Sequence, residues 1–150
     1  MNAEDLKKIV ARVPSLRELS VAQLHRIMRA GEIKKREAGA VLCKEGDLST
    51  DMFILLSGQL VVRSKQVELS AVKSSDVIGE MSLITGLPRS ATIEVVEDAT
   101  LLVIHKESFD TLMQENTDLA ARIYRSMLVS LCAKLRHTNV HLVASTLGVE

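Results

Sequence analysis

The chain has 150 residues, with 19 basic and 19 acidic side chains, so its formal net charge at neutral pH is zero. Hydrophobic residues make up 47% of the sequence, which indicates one folded domain with a substantial core and argues against a disordered chain. The balanced charge argues against a general nucleic-acid-binding protein, because such proteins carry a basic surface.

Residues 1–31 carry apolar side chains at the spacing of amphipathic helices. Pro14 divides this lead-in into two helices, because proline interrupts the hydrogen bonds of a helix interior. Ser20 is predicted to cap the second helix together with Gln23, and Gly31 is predicted to end it.

Between residues 32 and 106 the pattern changes to short β-type runs that are separated by turn residues. Many short strands with regular turns predict an antiparallel sandwich, barrel or jelly roll. The basic run Lys34–Arg36 is interpreted as a solvated turn rather than as a nucleic-acid patch. The predicted strands are, in chain order, Ala40–Cys43, Met52–Leu56, Gln59–Arg63, Val67–Val72, Ala91–Val96 and Thr100–His105.

Helical spacing returns after the β region. We predict a short helix Ser108–Met113 and a long helix Leu119–Val140, the latter capped by Thr117 or Asp118. The predicted organisation is a single domain over residues 1–142, with a helical lead-in at 1–31, a β region at 32–106, C-terminal helices at 108–142 and a tail at 143–150.

The long helix carries two rows of apolar side chains. The spacing of the first row alternates between four and three residues, as in paired helices, and its members are Tyr124, Leu128, Leu131, Leu135, Thr138 and Leu142. The second row consists of Leu119, Ile123 and Met127. We expect the helix to pack on its own domain and on a second copy at once; the alternative is that both rows cover the domain's own core.

Cys43 and Cys132 are the two cysteines of the sequence. Because they are far apart and alone, they predict free, buried thiols in a reducing compartment rather than a zinc site or a disulfide scaffold. No apolar run reaches the ~18 residues of a membrane span, and Met1–Lys8 lacks the apolar core of a secretory signal. We therefore expect a cytoplasmic protein that does not enter a membrane.

The segment Val77–Ala91 carries the residues that suggest chemistry. Gly79 allows the backbone to turn and to approach a ligand closely. Glu80, Met81 and Ser82 start a helical turn whose N–H groups face outward, and such a terminus attracts anions.

The second half of this segment adds a cation. Arg89 follows the stiff Pro88, and its guanidinium matches two phosphate oxygens. Ser90 supplies a hydroxyl donor and Ala91 leaves room for a ligand. Glu80 would repel a phosphate, so it fits a role as acceptor for a sugar hydroxyl that also balances Arg89. This pattern favours a sugar phosphate as ligand, and the alternative is a surface Glu80–Arg89 ion pair.

The run Gly79–Leu83 followed by Pro88–Ala91 resembles the phosphate-binding cassette of cyclic-nucleotide-binding domains. The resemblance covers roughly Pro14 to Asn139 and implies an α+β, mainly β fold. That fold is an eight-stranded β-roll (a double-stranded jelly roll) with N-terminal helices, a short helix in the cassette and a long C-terminal helix. The flanking segments that resemble the family are Leu19–Ser20, Gly39, Glu45–Asp47, Met52–Gly58, Val61–Val62 and Arg136–Asn139.

The resemblance also implies residue roles. Glu80 would accept a hydrogen bond from the ribose 2′-hydroxyl, and Arg89 would pair with the exocyclic oxygens of the cyclic phosphate. In the bacterial regulators of the family the long helix dimerises and its end contacts adenine, which implies this role for Thr138 and Asn139. The remaining cassette residues would help to hold the phosphate or permit its approach: Gly79, Met81, Ser82, Ser90 and Ala91.

The implied function is a cyclic-nucleotide sensor that reorients its C-terminal helix on binding. Cyclic AMP is the expected ligand and cyclic GMP the second choice, because the bacterial regulators of the family favour cyclic AMP. Ser90, in place of the threonine common in cyclic-GMP sites, is a minor indication in the same direction. The expected partners are a second copy of the chain and an unidentified downstream protein. The alternative is a β-roll that binds no ligand and serves as a dimerisation or docking module.

Some features depart from the family pattern. Ser75 stands where glycine is usual, and Ile78 stands where phenylalanine is common. Only a short segment follows Asn139, whereas the family's regulators continue into a helix-turn-helix, so we expect no DNA binding by this chain alone. We expect a stand-alone sensor or a fragment, and the start at Met1 with its own lead-in disfavours a channel or kinase module.

Other candidate sites are weaker. His137 and His141 share a helix face, but no third metal ligand accompanies them. His105 ends a predicted strand without an evident partner, and no haem-attachment motif is present. No nucleophilic triad or carboxylate pair can be assembled. We therefore expect neither an enzyme nor a metal or cofactor site.

Overall fold

The computed structural model describes Glu4, Lys8, Arg12, Val13 and residues 16–73 and 76–148. The helices are α1 (Val21–Ala30), α2 (Glu80–Thr85), α3 (Lys106–Glu115) and α4 (Thr117–Leu147). The strands are β1 (Gly31–Arg36), β2 (Val41–Cys43), β3 (Met52–Ser64), β4 (Val67–Lys73), β5 (Val77–Ile78) and β6 (Thr92–Ile104). Pro14, Ser75 and most of the first predicted helix lie outside the described residues.

Two long strands, β3 and β6, form the centre of an antiparallel sheet. The strand order is β1-β6-β3-β4, while β2 pairs with β6 and β5 pairs with β3. Helices flank this sheet at both ends of the chain, and the last of them is 31 residues long. The predicted mainly β architecture with a long C-terminal helix is confirmed.

The part of the chain that the structure describes has six strands rather than the eight of the implied β-roll, and β3 and β6 are longer than any strand predicted from the sequence. The segments around Gly58 and Asp98, taken as turns, instead lie inside β3 and β6, where the pairing register shifts. Gly58 has φ 95°, and a Cβ there would lie 2.5 Å from the carbonyl oxygen of Asp98. The two strands therefore bend together at a glycine, and each joins two of the predicted strands.

The interpretation of Lys34–Arg36 as a turn is wrong. These residues lie in β1, which pairs along its length with β6, for example at Lys34 opposite Leu101. The neighbouring strand satisfies the backbone of β1, so the basic run that suggested a turn is part of an edge strand whose Lys35 and Arg36 are exposed.

The helix boundaries are partly as predicted. Ser20 and Gln23 form the predicted capping box of α1, which ends at Gly31. In contrast, α4 is capped by the side chain of Asn116, which accepts a hydrogen bond from the backbone N–H of Leu119 at 3.0 Å. The predicted caps of α4, Thr117 and Asp118, are therefore wrong.

The C-terminal boundaries also differ from the prediction. Helix α3 begins at Lys106 rather than at Ser108. Helix α4 continues to Leu147, so the predicted helical range 108–142 is too short and the predicted tail 143–150 is helical through Leu147. Helix α4 has no strong apolar pattern in its last two turns, which is why its sequence did not predict them.

The two apolar rows of α4 have different environments. Leu119, Ile123 and Met127 are buried in the core that α1, the sheet and α3 share. In the other row Leu128 is 62% exposed and Leu135 is 61% exposed. One row thus packs on the domain, whereas the other is largely exposed from Leu128 onward except at the partly buried Leu131. The alternative in which both rows cover the domain's own core is therefore wrong.

Candidate functional site

Gly79 forms the sharp turn between β5 and α2. Its φ is 81°, in the left-handed region that favours glycine. A Cβ at Gly79 would lie 2.7 Å from the carbonyl oxygen of Asp51 and 2.8 Å from Nη1 of Arg89. The predicted turn is confirmed. The space that a side chain at residue 79 would fill is occupied by the Asp51 carbonyl and the Arg89 guanidinium rather than left for a ligand.

Arg89 is buried, with 4% of its surface exposed. Its Nε donates to Oγ of Ser49 at 3.1 Å, its Nη1 to the carbonyl oxygen of Gly79 at 3.2 Å, and its Nη2 to that of Asp51 at 2.6 Å. The guanidinium also lies 5.6 Å from the centre of the Phe53 ring. These contacts use three of the five N–H groups of the guanidinium and fix its orientation.

Glu80 is also buried, with 4% exposed, and its partner comes from α4. Nζ of Lys134 donates to Oε1 of Glu80 and to the carbonyl oxygen of Val77, both at 2.9 Å. The predicted balance of Glu80 by Arg89 is therefore wrong, and so is the alternative of a surface Glu80–Arg89 pair. Sequence reasoning missed Lys134, whose one signal was its place one turn before Thr138 on the same helix.

The cassette, the sheet and α4 enclose a cavity of about 430 Å³. This volume is in the range of small-molecule sites. Helix α4 contributes Ala133, Lys134 and His137 to the wall. All the predicted cassette residues line this cavity: Gly79, Glu80, Met81, Ser82, Arg89, Ser90 and Ala91.

Thr138 and Asn139 are not among the residues that line the cavity. Both are exposed, and Oγ1 of Thr138 donates to the carbonyl oxygen of Lys134 on its own helix at 3.0 Å. Each residue turns about 100° around the axis of an α-helix, so His137 and Thr138 face different directions. The cavity-facing positions belong to Lys134 and His137, and the implied adenine contacts of Thr138 and Asn139 stay a prediction.

The two cysteines differ in environment. Cys43 is buried and lines the cavity, whereas Cys132 is exposed on α4. Burial raises the pKa of the Cys43 thiol, against the opposing effect of Arg89, so this group stays a neutral, unreactive thiol. The prediction of buried thiols is right for Cys43 and wrong for Cys132.

His105 has a partner that the sequence did not indicate. Its Nδ1 lies 2.8 Å from Oδ1 of Asp51. The hydrogen bond to the Asp51 carboxylate, and then the attraction between the two charges, raise the pKa of His105. Because the carbonyl oxygen of Asp51 accepts from Arg89, this pair supports the segment that positions the buried guanidinium.

The sequence profile of the cyclic nucleotide-binding domain family matches residues 33–116, which is more than half of the chain. A cyclic nucleotide-gated potassium channel of Rhizobium etli is 34% identical over 123 residues, which cover 81% of this chain and 34% of the channel. A second such channel, of Mesorhizobium japonicum, is 35% identical over 114 residues, which cover 75% of this chain and 31% of the channel. The chain thus spans about a third of the length of these relatives.

Solved structures show the same fold. A cyclic nucleotide-binding domain from Methylobacillus flagellatus superimposes with a TM-score of 0.83 at 20% identity, covering 95% of this chain and 83% of that one. The catabolite activator protein of Thermus thermophilus gives a TM-score of 0.75 at 21% identity, with coverages of 89% and 63%. The regulatory domain of a Toxoplasma gondii protein kinase, in complex with cyclic AMP, gives 0.63 at 27% identity, with coverages of 73% and 44%.

The described residues hold neither a candidate membrane span nor a candidate metal cluster. None of the helices there combines the length and the apolar character that a membrane crossing requires. Nor do three or more His, Cys, Asp or Glu side chains gather there in a way that could hold a metal ion.

The Asp51–His105 contact predicts a pH-dependent stability. Because the contact raises the pKa of His105, its stabilisation is fully present below the usual histidine pKa of about 6.5 and is lost as the pH rises through the higher folded-state value. We expect Asp51→Asn, which keeps the backbone carbonyl, to lower the urea midpoint more at pH 6 than at pH 9. His105→Gln removes the same contact from the other side and should give the same pH-dependent difference. Equal losses at both pH values for Asp51→Asn would contradict the prediction.

Proposed function

Since the chain belongs to the cyclic nucleotide-binding domain family, we propose that it is a cyclic-AMP sensor whose ligand occupies the cavity and reorients α4. The observation that carries the proposal is the convergence of two buried, oppositely charged side chains, Arg89 and Glu80, on one cavity. Both residues lie in the segment that connects β5 to β6. Together they present an anion-binding group and a hydroxyl acceptor to one small ligand.

Arg89 is the proposed partner of the cyclic phosphate. Its hydrogen bonds go to a hydroxyl and two carbonyl oxygens, and among the described residues no carboxylate forms an ion pair with it. A buried cation without a counter-charge is costly, and an anionic ligand removes that cost. The remaining cassette groups that hold the phosphate in this proposal are the Ser90 hydroxyl and the backbone N–H groups of Met81, Ser82 and Ala91.

Glu80 is the proposed acceptor of the ribose 2′-hydroxyl. In the structure this carboxylate accepts from Lys134 of α4, so a ligand hydroxyl and Lys134 compete for or share the same oxygens. A ligand moves an equilibrium only through its different affinity for the two states. The Glu80–Lys134 contact supplies such a difference, because it joins the ligand site directly to α4.

The exposed apolar row of α4 supports a homodimer. Leu128, Leu135 and Leu142 lie along one side of a long helix and are each more than half exposed. A row with alternating spacings of three and four residues fits a second helix of the same kind. In the proposed dimer, Thr138 belongs to this row and Asn139 directly follows it, and both reach the nucleotide base once α4 has moved.

The wider role is also a proposal. Cys43 and Cys132 are both free, which fits a reducing cytoplasm. The cavity offers groups that position a ligand rather than a nucleophile with its base, which fits a regulatory domain that extends through Leu147 rather than an enzyme. The proposed output is a downstream protein that senses α4.

Isothermal titration tests ligand binding. We expect cyclic AMP to bind with a micromolar or lower Kd and cyclic GMP to bind more weakly. Arg89→Ala should weaken cyclic-AMP binding by about 30-fold (~2 kcal/mol), because it removes charged hydrogen bonds in a buried site. Arg89→Lys keeps the charge but loses the planar guanidinium that donates to two phosphate oxygens at once, so it should also bind more weakly than wild type.

Two controls make this titration decisive. Arg63→Ala removes a half-exposed arginine whose partner is Glu94, away from the cavity, and should leave binding unchanged. Thermal melts identify loss of fold in the Arg89 variants, since that side chain also ties Ser49 and Asp51 together. If folded wild type binds neither nucleotide at millimolar concentration, the sensor proposal fails and the docking-module alternative replaces it.

Spin labels test the movement of α4. The exposed Cys132 takes one label and Val67→Cys on β4 takes the other, while Cys43 is buried. After dilution with excess unlabelled protein, we expect cyclic AMP to change the measured distance distribution. Lys134→Met should shift the nucleotide-free distribution in the same direction, because it releases Glu80 from α4.

Arg136→Met, an exposed change on the same helix, is the matched control and should leave the nucleotide-free distribution as in wild type. Saturating cyclic AMP with no change in distance would rule out the proposed reorientation. The base contact is tested in the same samples, since unchanged affinity and geometry in Thr138→Ala/Asn139→Ala would exclude those two residues.

Sedimentation equilibrium tests the dimer. We expect wild type to dimerise and Leu128→Asp/Leu135→Asp to raise the dimer Kd roughly tenfold or more, because two charges replace apolar contacts. The control is Leu48→Asp/Leu87→Asp, which changes two leucines elsewhere on the surface that are at least as exposed. A wild type that stays monomeric, or equal effects of the two double variants, would refute dimerisation through this row.

A further inference from the structure

His137 and His141 form a close pair on the outer turns of α4. Their Nε2 atoms lie 3.0 Å apart. Their rings meet edge to face, with centroids 4.4 Å apart and an interplanar angle of 77°. Residues four apart are neighbours on one face of a helix, so the arrangement follows directly from the sequence spacing.

The distance between the two nitrogens matches a shared metal ion. Zinc–imidazole bonds are about 2.0–2.1 Å long, so two such nitrogens are roughly 2.9 Å apart at a right angle and roughly 3.3 Å apart at a tetrahedral angle. The observed 3.0 Å lies between these values. The two nitrogens form a hydrogen bond with each other in the structure. At this separation one ion in place of that hydrogen bond would be within bonding distance of both nitrogens.

The surroundings allow a cation. Both rings are exposed, so water reaches the remaining coordination positions. Lys134, one turn before His137 on the same helix, is already paired with the Glu80 carboxylate at 2.9 Å. Its charge is therefore largely compensated and does not repel an ion at the histidines.

We propose that His137 and His141 form a chelating site for a divalent late transition-metal ion such as Zn²⁺, Ni²⁺ or Cu²⁺. Imidazole nitrogen is a preferred ligand for these ions. Among the described residues no third His, Cys, Asp or Glu completes the set, so the site is an open, two-histidine chelate with water in its other positions. His137 also lines the cavity, which places the ion at the rim of the ligand site.

The first experiment titrates nucleotide-free protein with NiCl₂ and with ZnCl₂ in a calorimeter. We expect one ion per chain in wild type and a Kd at least about tenfold weaker in His137→Gln and in His141→Gln, because the second histidine acts at high effective concentration once the first has bound. His25→Gln removes an exposed histidine elsewhere and should change nothing.

A spacing control keeps the number of histidines constant. In His141→Gln/Ser145→His the second histidine stands eight residues from His137, on the same face but about 12 Å along the helix, too far to share an ion. This variant should bind as weakly as His141→Gln alone. Wild-type affinity in this variant or in either single variant, or an equal loss in His25→Gln, overturns the chelate.

A second measurement concerns coupling and rests on the proposed function. A divalent cation beside the cavity should favour an anionic nucleotide, so we expect Zn²⁺ to lower the Kd for cyclic AMP in wild type and not in His141→Gln. His141 does not line the cavity, so its variant should keep the metal-free affinity. If no nucleotide binds at all, the proposed function fails while the first experiment still decides the metal site. If cyclic AMP binds equally well with and without Zn²⁺ in wild type, the coupling is wrong.

Discussion

The buried guanidinium of Arg89 is the contact on which the site depends. It reaches from the connection before β6 to Ser49 and Asp51 ahead of β3 and to Gly79 at the start of α2. Three segments that are distant in sequence are thereby held at fixed spacing. The absence of a side chain at Gly79 is part of the same arrangement, since a Cβ there would collide with Nη1 of Arg89. A change at any of these positions therefore alters both the fold around the cavity and the cavity's own chemistry.

The two halves of helix α4 are held to the domain by different kinds of contact. Leu119, Ile123 and Met127 anchor its first half in the core, which leaves the second half attached mainly through Lys134. The apolar core fixes the direction in which the helix leaves the domain. The Lys134 contacts are polar and partly solvated, so they are weaker and easier to exchange than the buried row. A helix that is firmly fixed at one end and lightly held at the other is suited to a change in orientation.

The sequence predicts most of what is local and little of what is distant. The cassette residues from Gly79 to Ala91 are close together in the chain, and they do line one cavity. The capping box at Ser20 is local as well, and it is present. Lys134 and Glu80 are separated by 54 residues, and only the packing of α4 across the cavity brings them together. The pairing of Asp51 with His105 depends in the same way on the register of distant segments.

The errors in secondary structure have a similar origin. The residues around Gly58 and Asp98 are of types common in turns and are locally compatible with hairpins. Strands β3 and β6 nevertheless bend together there and stay paired. Lys34–Arg36 looks like a loop when seen alone, and β6 makes it a strand. Tertiary pairing therefore decided the structure wherever local preference was weak.

The charges of the cavity give it two unlike ends. Arg89 has neutral acceptors and no carboxylate in an ion pair within the described structure, so its end favours an anion. The charge of Glu80 is already neutralised by Lys134. The carboxylate can therefore accept a hydrogen bond from an uncharged ligand hydroxyl, which either replaces the contact with Lys134 of α4 or forms beside it. A ligand that offers a phosphate alone would gain affinity without disturbing the helix. A ligand that offers a phosphate and a hydroxyl together reaches both ends, and in the proposed function this second contact converts binding energy into movement of α4.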